Sequence, residues 1–257
     1  MPSDRIAILA LLASVGVSCR SGQPPAIDLA VAACVPPGAV ILGGVNLGRV
    51  RASPLFRQLP SAAIALLEPL READSVLVAS NGVDYLAIER GSFRQASPGA
   101  TLLGPGLAAA GSPEWLRAAA AQRRSETAGA SAMLERAEPL AAIADSWIVA
   151  AGNANLPVSG NAQNLNSLLH ATVYSTLTVR LTDPVALEAV GICRGPESAL
   201  HLEETIRAFI TLAAAGTRRQ PEISSLLRRI RLSHEDRAVH LNLEAQPAEL
   251  EALLKLL

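Results

Sequence analysis

Two hairpin signals that close on the same short pattern, 104 residues apart, constrain this chain more than any other feature of it. Ser75–Ala79 and Val83–Arg90 flank Asn81-Gly82 and end in Ile88-Glu89-Arg90-Gly91. Tyr174–Leu181 and Val185–Cys193 flank Thr182-Asp183-Pro184 and end in Ile192-Cys193-Arg194-Gly195. Asn-Gly between apolar runs marks a hairpin because both residues tolerate positive φ. The same order of elements recurs around each hairpin: strand, helix, hairpin, further strand, closing helix. The first half reads as Ala39–Leu47, Ser61–Leu70, the hairpin, Thr101–Leu103 and Pro113–Ala121. The second reads as Ser146–Gly152, a short helix ending near His170, the hairpin, Ala238–Ala245 and Pro247–Leu256. Two more helices, Glu197–Ala215 and Glu222–Ile230, precede its last strand. Ser131–Ala144 is helical around Pro139, which should start a new helix or kink the old one.

A competing self-match sets Glu68-Pro69-Leu70 against Glu138-Pro139-Leu140 at a different offset. The first is preferred because it keeps the element order. The expectation is an α+β fold, antiparallel sheet with packed helices. It has two similar β-α-β-β-β-α halves at 38–122 and 131–257, and an internal boundary at 123–130.

Residue counts remove several function classes. Lys255 is the single lysine and Leu256 follows it, so a phosphate-binding Gly-Lys-Ser/Thr loop, a kinase lysine and a Schiff-base lysine are excluded. A net charge of −1 and 3% aromatic residues argue against a nucleic-acid partner. There is no Gly-x-Ser-x-Gly elbow and no His-Glu-x-x-His. Gly104-Pro105-Gly106-Leu107-Ala108-Ala109 satisfies a loose dinucleotide pattern but reads as a strand-ending turn, since no helix starts before Pro113. His201 with Glu204, and His234-Glu235-Asp236, offer too few ligands for a metal and read as solvated charges. No cofactor or metal is expected.

The N-terminus reads as an export signal: Arg5, then the apolar run Ile6–Val17, too short to span a bilayer. Gly16-Val17-Ser18-Cys19 then resembles the lipidation site of a bacterial lipoprotein precursor, with Gly16 where that pattern usually has Leu. The resemblance implies a signal segment at 1–19, a lipid on Cys19, a linker at 20–37 and attachment to a membrane. A plain signal cleaved near Ala30-Val31-Ala32 stays open. With Cys19 acylated, Cys34 and Cys193 form an even pair for a disulfide in an oxidising compartment, or stay as two buried thiols. Val35-Pro36-Pro37-Gly38-Ala39-Val40 with Gly44-Val45-Asn46-Leu47 also resembles the first strand of uncharacterised bacterial envelope proteins. That resemblance implies an exported α+β protein and carries no catalytic residue.

Arg218, Arg219, Arg228, Arg229, Arg231 and Arg237 crowd into a short stretch and form a candidate patch for anionic lipid or an acidic envelope partner. The Asn-rich loop at 153–163 is long enough to be a binding loop, though Asn also favours turns. These readings favour a non-enzymatic, exported, lipid-anchored cell-envelope protein with a binding or structural role. The alternatives are a periplasmic carrier of a hydrophobic small molecule and an exported hydrolase with a scattered site. A hollow apolar pocket would favour the carrier.

Overall fold

The computed structural model describes residues 26–58, 68–97, 99–125, 127, 129–156, 164–217, 221–246 and 249. Helices α1 (Leu29–Ala32), α2 (Leu47–Ala52), α3 (Pro113–Arg124), α4 (Ser131–Ile143), α5 (Asn164–His170), α6 (Pro196–Gly216) and α7 (Pro221–Arg229) surround one sheet. Its strands are β1 (Ile41–Asn46), β2 (Ala73–Ser80), β3 (Tyr85–Gly91), β4 (Thr101–Gly104), β5 (Leu107–Gly111), β6 (Ser146–Ala151), β7 (Tyr174–Arg180), β8 (Val185–Ile192), β9 (Arg231–Glu235) and β10 (Ala238–Ala245). The fold is α+β with an antiparallel sheet, and the strand order is β4-β5-β3-β2-β1-β6-β7-β8-β10-β9.

That order reads alike outward from the β1–β6 pair: β1, β2, β3, β5, β4 on one side and β6, β7, β8, β10, β9 on the other. The two sequence halves therefore share one sheet, joined edge to edge where Gly43 pairs with Ile148 and Gly44 with Trp147. The shared Arg-Gly patterns lie at the ends of β3 and β8, which hold equivalent positions. Each half contributes five strands, one more than expected. The additional ones are β5, built from Leu107-Ala108-Ala109-Ala110-Gly111, and the polar edge strand β9. Gly104–Ala109 is thus the β4–β5 hairpin, with Gly106 at φ +60° in its turn. The Asn81-Gly82 loop spans four residues: Asn81 Oδ1 accepts from the N–H of Val83 (2.9 Å) and of Asp84 (2.7 Å), which closes the turn. Pro139 lies inside a single helix and does not start a new one. The expected closing helix at 247–256 lies almost wholly outside the described residues, as does most of Ser61–Leu70.

Side-chain alternation divides the burial between the two faces of the sheet. On one face Leu42, Leu77, Leu86, Ile88, Ala109, Trp147 and Val149 pack under Val31 of α1, Trp115 and Ala119 of α3, and Met133, Leu134 and Ala137 of α4. Burying each large side chain contributes about 1.5–3 kcal/mol. Cys34 belongs to this core, whereas Cys193 belongs to a separate cluster with Ala199, Leu202 and Val239. Both are free thiols, so the disulfide considered for them does not form: they serve cores assembled by different helices. Arg90 ties the entry segment to the sheet, donating from Nε to Asp28 (3.0 Å) and from a terminal nitrogen to the carbonyls of Pro105 and Gly106 (both 3.0 Å). Asp28 in turn caps α1, accepting from the Ala30 N–H at 2.8 Å.

In the second half the apolar face is the opposite one. The register places Thr178, Glu188 and Asn242 in one row across β7, β8 and β10, on the side occupied by Trp147. Next to it, on the other side of the sheet, run Ile148, Leu177, Ala189 and Leu241, followed by Ala150, Ser175, Gly191 and Val239. Beyond β6 the apolar rows thus lie on this second face, which helices α5 and α6 serve.

Candidate functional site

The two apolar rows form the floor of a cavity of about 310 Å³. Its walls are Leu165, Leu168 and Leu169 of α5, Leu202 and Ile206 of α6, and Leu156 from the loop after β6. The sequence builds this space with small floor residues. Ala150, Ala189 and Gly191 stand in register where larger side chains would meet the helices, and the helices supply leucines at helical spacing on the facing side. The cavity is only partly roofed: Ile148 is 39% exposed and Leu165 47%. A concave apolar site of this size with few polar groups is the usual form of a small-molecule pocket.

Polar contacts hold the walls in place. Asn166 Oδ1 accepts from the Leu156 N–H (2.7 Å) while its Nδ2 donates to the Leu156 carbonyl (3.2 Å), clipping the loop to α5. His170 Nε2 lies 3.1 Å from the Ala154 carbonyl oxygen. Thr172 Oγ1 donates to the Leu169 carbonyl (2.7 Å) and lies 3.0 Å from Ser175 Oγ. On α6, Glu203 is buried; it accepts from Arg207 one turn on and from Nδ1–H of His234 on β9. These bonds, His234's first, hold its carboxyl below the usual carboxylate range. His234 pairs with Val239 in the sheet, so the Glu203–His234 contact ties the cavity's helical wall to the sheet edge. His234, Glu235 and Asp236 are exposed as the sequence suggests, but His234 has this specific partner. Among the described residues no three His, Cys, Asp or Glu side chains converge on a point.

Of the four arginines of the candidate patch among the described residues, three lie together and Arg237 lies apart. Arg228 and Arg229 end α7 and Arg231 starts β9; with Pro184, Asn242, Glu244 and Gln246 they line a second, polar cavity of about 350 Å³. Arg229 is paired with Glu249 at 2.6 Å. Arg237 sits in the β9–β10 turn, at the other end of β9 and about 16 Å away by strand rise. Arg218 and Arg219 lie outside the described residues, as do Cys19 and 157–163 of the Asn-rich loop.

Sequence reasoning missed the cavity. Its floor residues alternate visibly in β7 and β10, but only the folded sheet brings them into adjoining rows and sets Gly191 beneath Leu202.

No family model matches the chain, and no curated protein matches it. Among solved structures it is similar to crystal form III of TP0453, a treponemal protein. The TM-score is 0.54 at 8% identity, over 93% of this chain and all of that one. Crystal form I of TP0453 matches with a TM-score of 0.43, also at 8% identity, over 91% of this chain and 98% of that one. The form III likeness is one of α+β fold.

Proposed function

We propose that this chain is an exported cell-envelope protein, anchored through a lipid on Cys19, that binds a hydrophobic small molecule between its second sheet half and helices α5 and α6. The observation that carries the binding role is the apolar cavity of about 310 Å³. Its floor is narrowed at Ala150, Ala189 and Gly191 while leucines stand around it. A core that merely packs would fill this volume, since interiors are close-packed and each missing methyl costs about 1 kcal/mol. The role is binding and carriage, without chemistry on the ligand. The export reading rests on Arg5, Ile6–Val17 and Cys19.

The binding test uses the neutral dye N-phenyl-1-naphthylamine with the full chain and an Ala189→Trp variant. Saturable fluorescence enhancement is expected for the wild type, with loss in the variant at an unchanged melting temperature. Equal enhancement in both overturns the site, and none in either overturns the function. Radiolabelled palmitate tests the anchor: label on the wild type and none on Cys19→Ala is expected, and no label on either sinks the lipoprotein reading.

A further inference from the structure

The cavity's polar atoms restrict the chemistry of its ligand, and this inference rests on the binding role just proposed. Among the described lining residues, three carry polar side chains: Thr172, Ser175 and Thr176. Thr176 pairs with Val149 and Val190 and so points to the opposite face of the sheet. Thr172 has a single hydroxyl proton, and it goes to the Leu169 carbonyl at 2.7 Å. The 3.0 Å contact between Thr172 and Ser175 is then a hydrogen bond only if Ser175 is its donor. Both protons are therefore committed within the protein. Thr172 is buried, and Ser175 Oγ stands beside the Gly191 floor, 3.7 Å from where a Cβ on that residue would lie. Ser175 thus offers the cavity acceptor lone pairs and no proton. Among the described residues, no lining residue carries a charge.

We infer that the cavity binds a single uncharged aliphatic chain bearing a hydrogen-bond donor, such as a long-chain alcohol, with the donor on Ser175 Oγ, and that it discriminates against carboxylate and phosphate head groups. An anionic head would bring acceptor against acceptor, and it would lose its water with no cation among the described lining residues to face it. A hydroxyl meets a lone pair and leaves no buried group unpaired. The volume is at the small end of ligand pockets and has room for one chain.

The test is displacement of N-phenyl-1-naphthylamine from the full chain at pH 8 by three probes of equal chain length: 1-dodecanol, dodecyl methyl ether and dodecanoate. The ether is uncharged but has no donor, so it separates the need for a donor from the aversion to charge. Dodecanol is expected to displace the dye at concentrations about tenfold below the ether, with dodecanoate weakest. Ser175→Ala is expected to remove the dodecanol-over-ether advantage while leaving the ether unchanged. Equal potency of dodecanol and ether in the wild type overturns the donor requirement, whether or not the variant folds. Dodecanoate matching dodecanol overturns the discrimination against charge. Dye that binds but yields to none of the three overturns the ligand class and leaves the binding role standing. Absence of dye binding removes the binding role and this inference with it.

Discussion

Trp147 lies across Gly44: a Cβ built on that glycine would come closer to the indole than real Cβ atoms ever do. The two residues pair directly across the seam between β1 and β6, so the contact joins the halves on the face that carries the Trp147 core. The neighbouring Gly43 faces the other way, and a Cβ there would meet only ordinary contacts at 3.6 Å and 3.7 Å. Gly44→Ala should therefore cost about 1–3 kcal/mol, the usual range for overpacking, while Gly43→Ala should stay within about 0.5 kcal/mol of wild type. Urea midpoints measure both. A Trp115→Phe background isolates the Trp147 emission, which should shift to the red in Gly44→Ala alone. Equal midpoints for the two variants would refute the packing argument.

Glu203 supplies a pH-dependent part of the stability. Its pKa is lowered in the folded chain by His234 and then by Arg207. The stabilisation is therefore fully present above the unfolded carboxyl value, about 4.3, and is lost as pH falls through the lower folded value. Glu203→Gln should cost about 1 kcal/mol at pH 7, a modest figure because Arg207 and His234 are exposed. Below about pH 4 the wild type should converge on the variant. Thermal melts across this range decide the matter: a difference that stays constant down to pH 3 would exclude the carboxylate as its source.

Cys34 and Cys193 are both fully buried, and burial raises the pKa of each thiol, with Arg123 partly offsetting the effect at Cys34. Reaction with an aromatic disulfide reagent should be at least about a hundredfold slower in the native chain than in urea, the factor set by an opening free energy of about 3 kcal/mol. Peptide mapping after reaction in urea without reductant should find both residues labelled. Unlabelled Cys34 and Cys193 in the unfolded chain would show a bridge.

The parts of the fold legible in the sequence were those with a strong local signal. The hairpin at Asn81-Gly82 and the long helix Pro196–Gly216 were read from turn chemistry and apolar spacing. Strand β5 was missed because Ala108-Ala109-Ala110 carries no strand preference; its pairing with β3 and β4 makes it a strand. Strand β9 was missed because Arg231, Ser233, His234 and Glu235 are polar, as an edge strand permits. Closeness in sequence is not closeness in space for Arg231 and Arg237, because β9 carries Arg231 and the Arg237 turn to its opposite ends. The cavity depends on register between strands distant in the chain, and that information exists only once the sheet has formed.

The seam has one more consequence, for assembly at high concentration. Most other strand pairs join neighbours in the chain, but β6 can reach β1 only after the whole first half has been synthesised. Until then each half presents an open edge of matching design. Two copies refolding together can satisfy those edges reciprocally, the β1 of each taking the β6 of the other with the same registers. The competition between closing within one chain and exchanging between two is then set by concentration and by the 112–145 connection, which makes dilution the condition that favours the monomer.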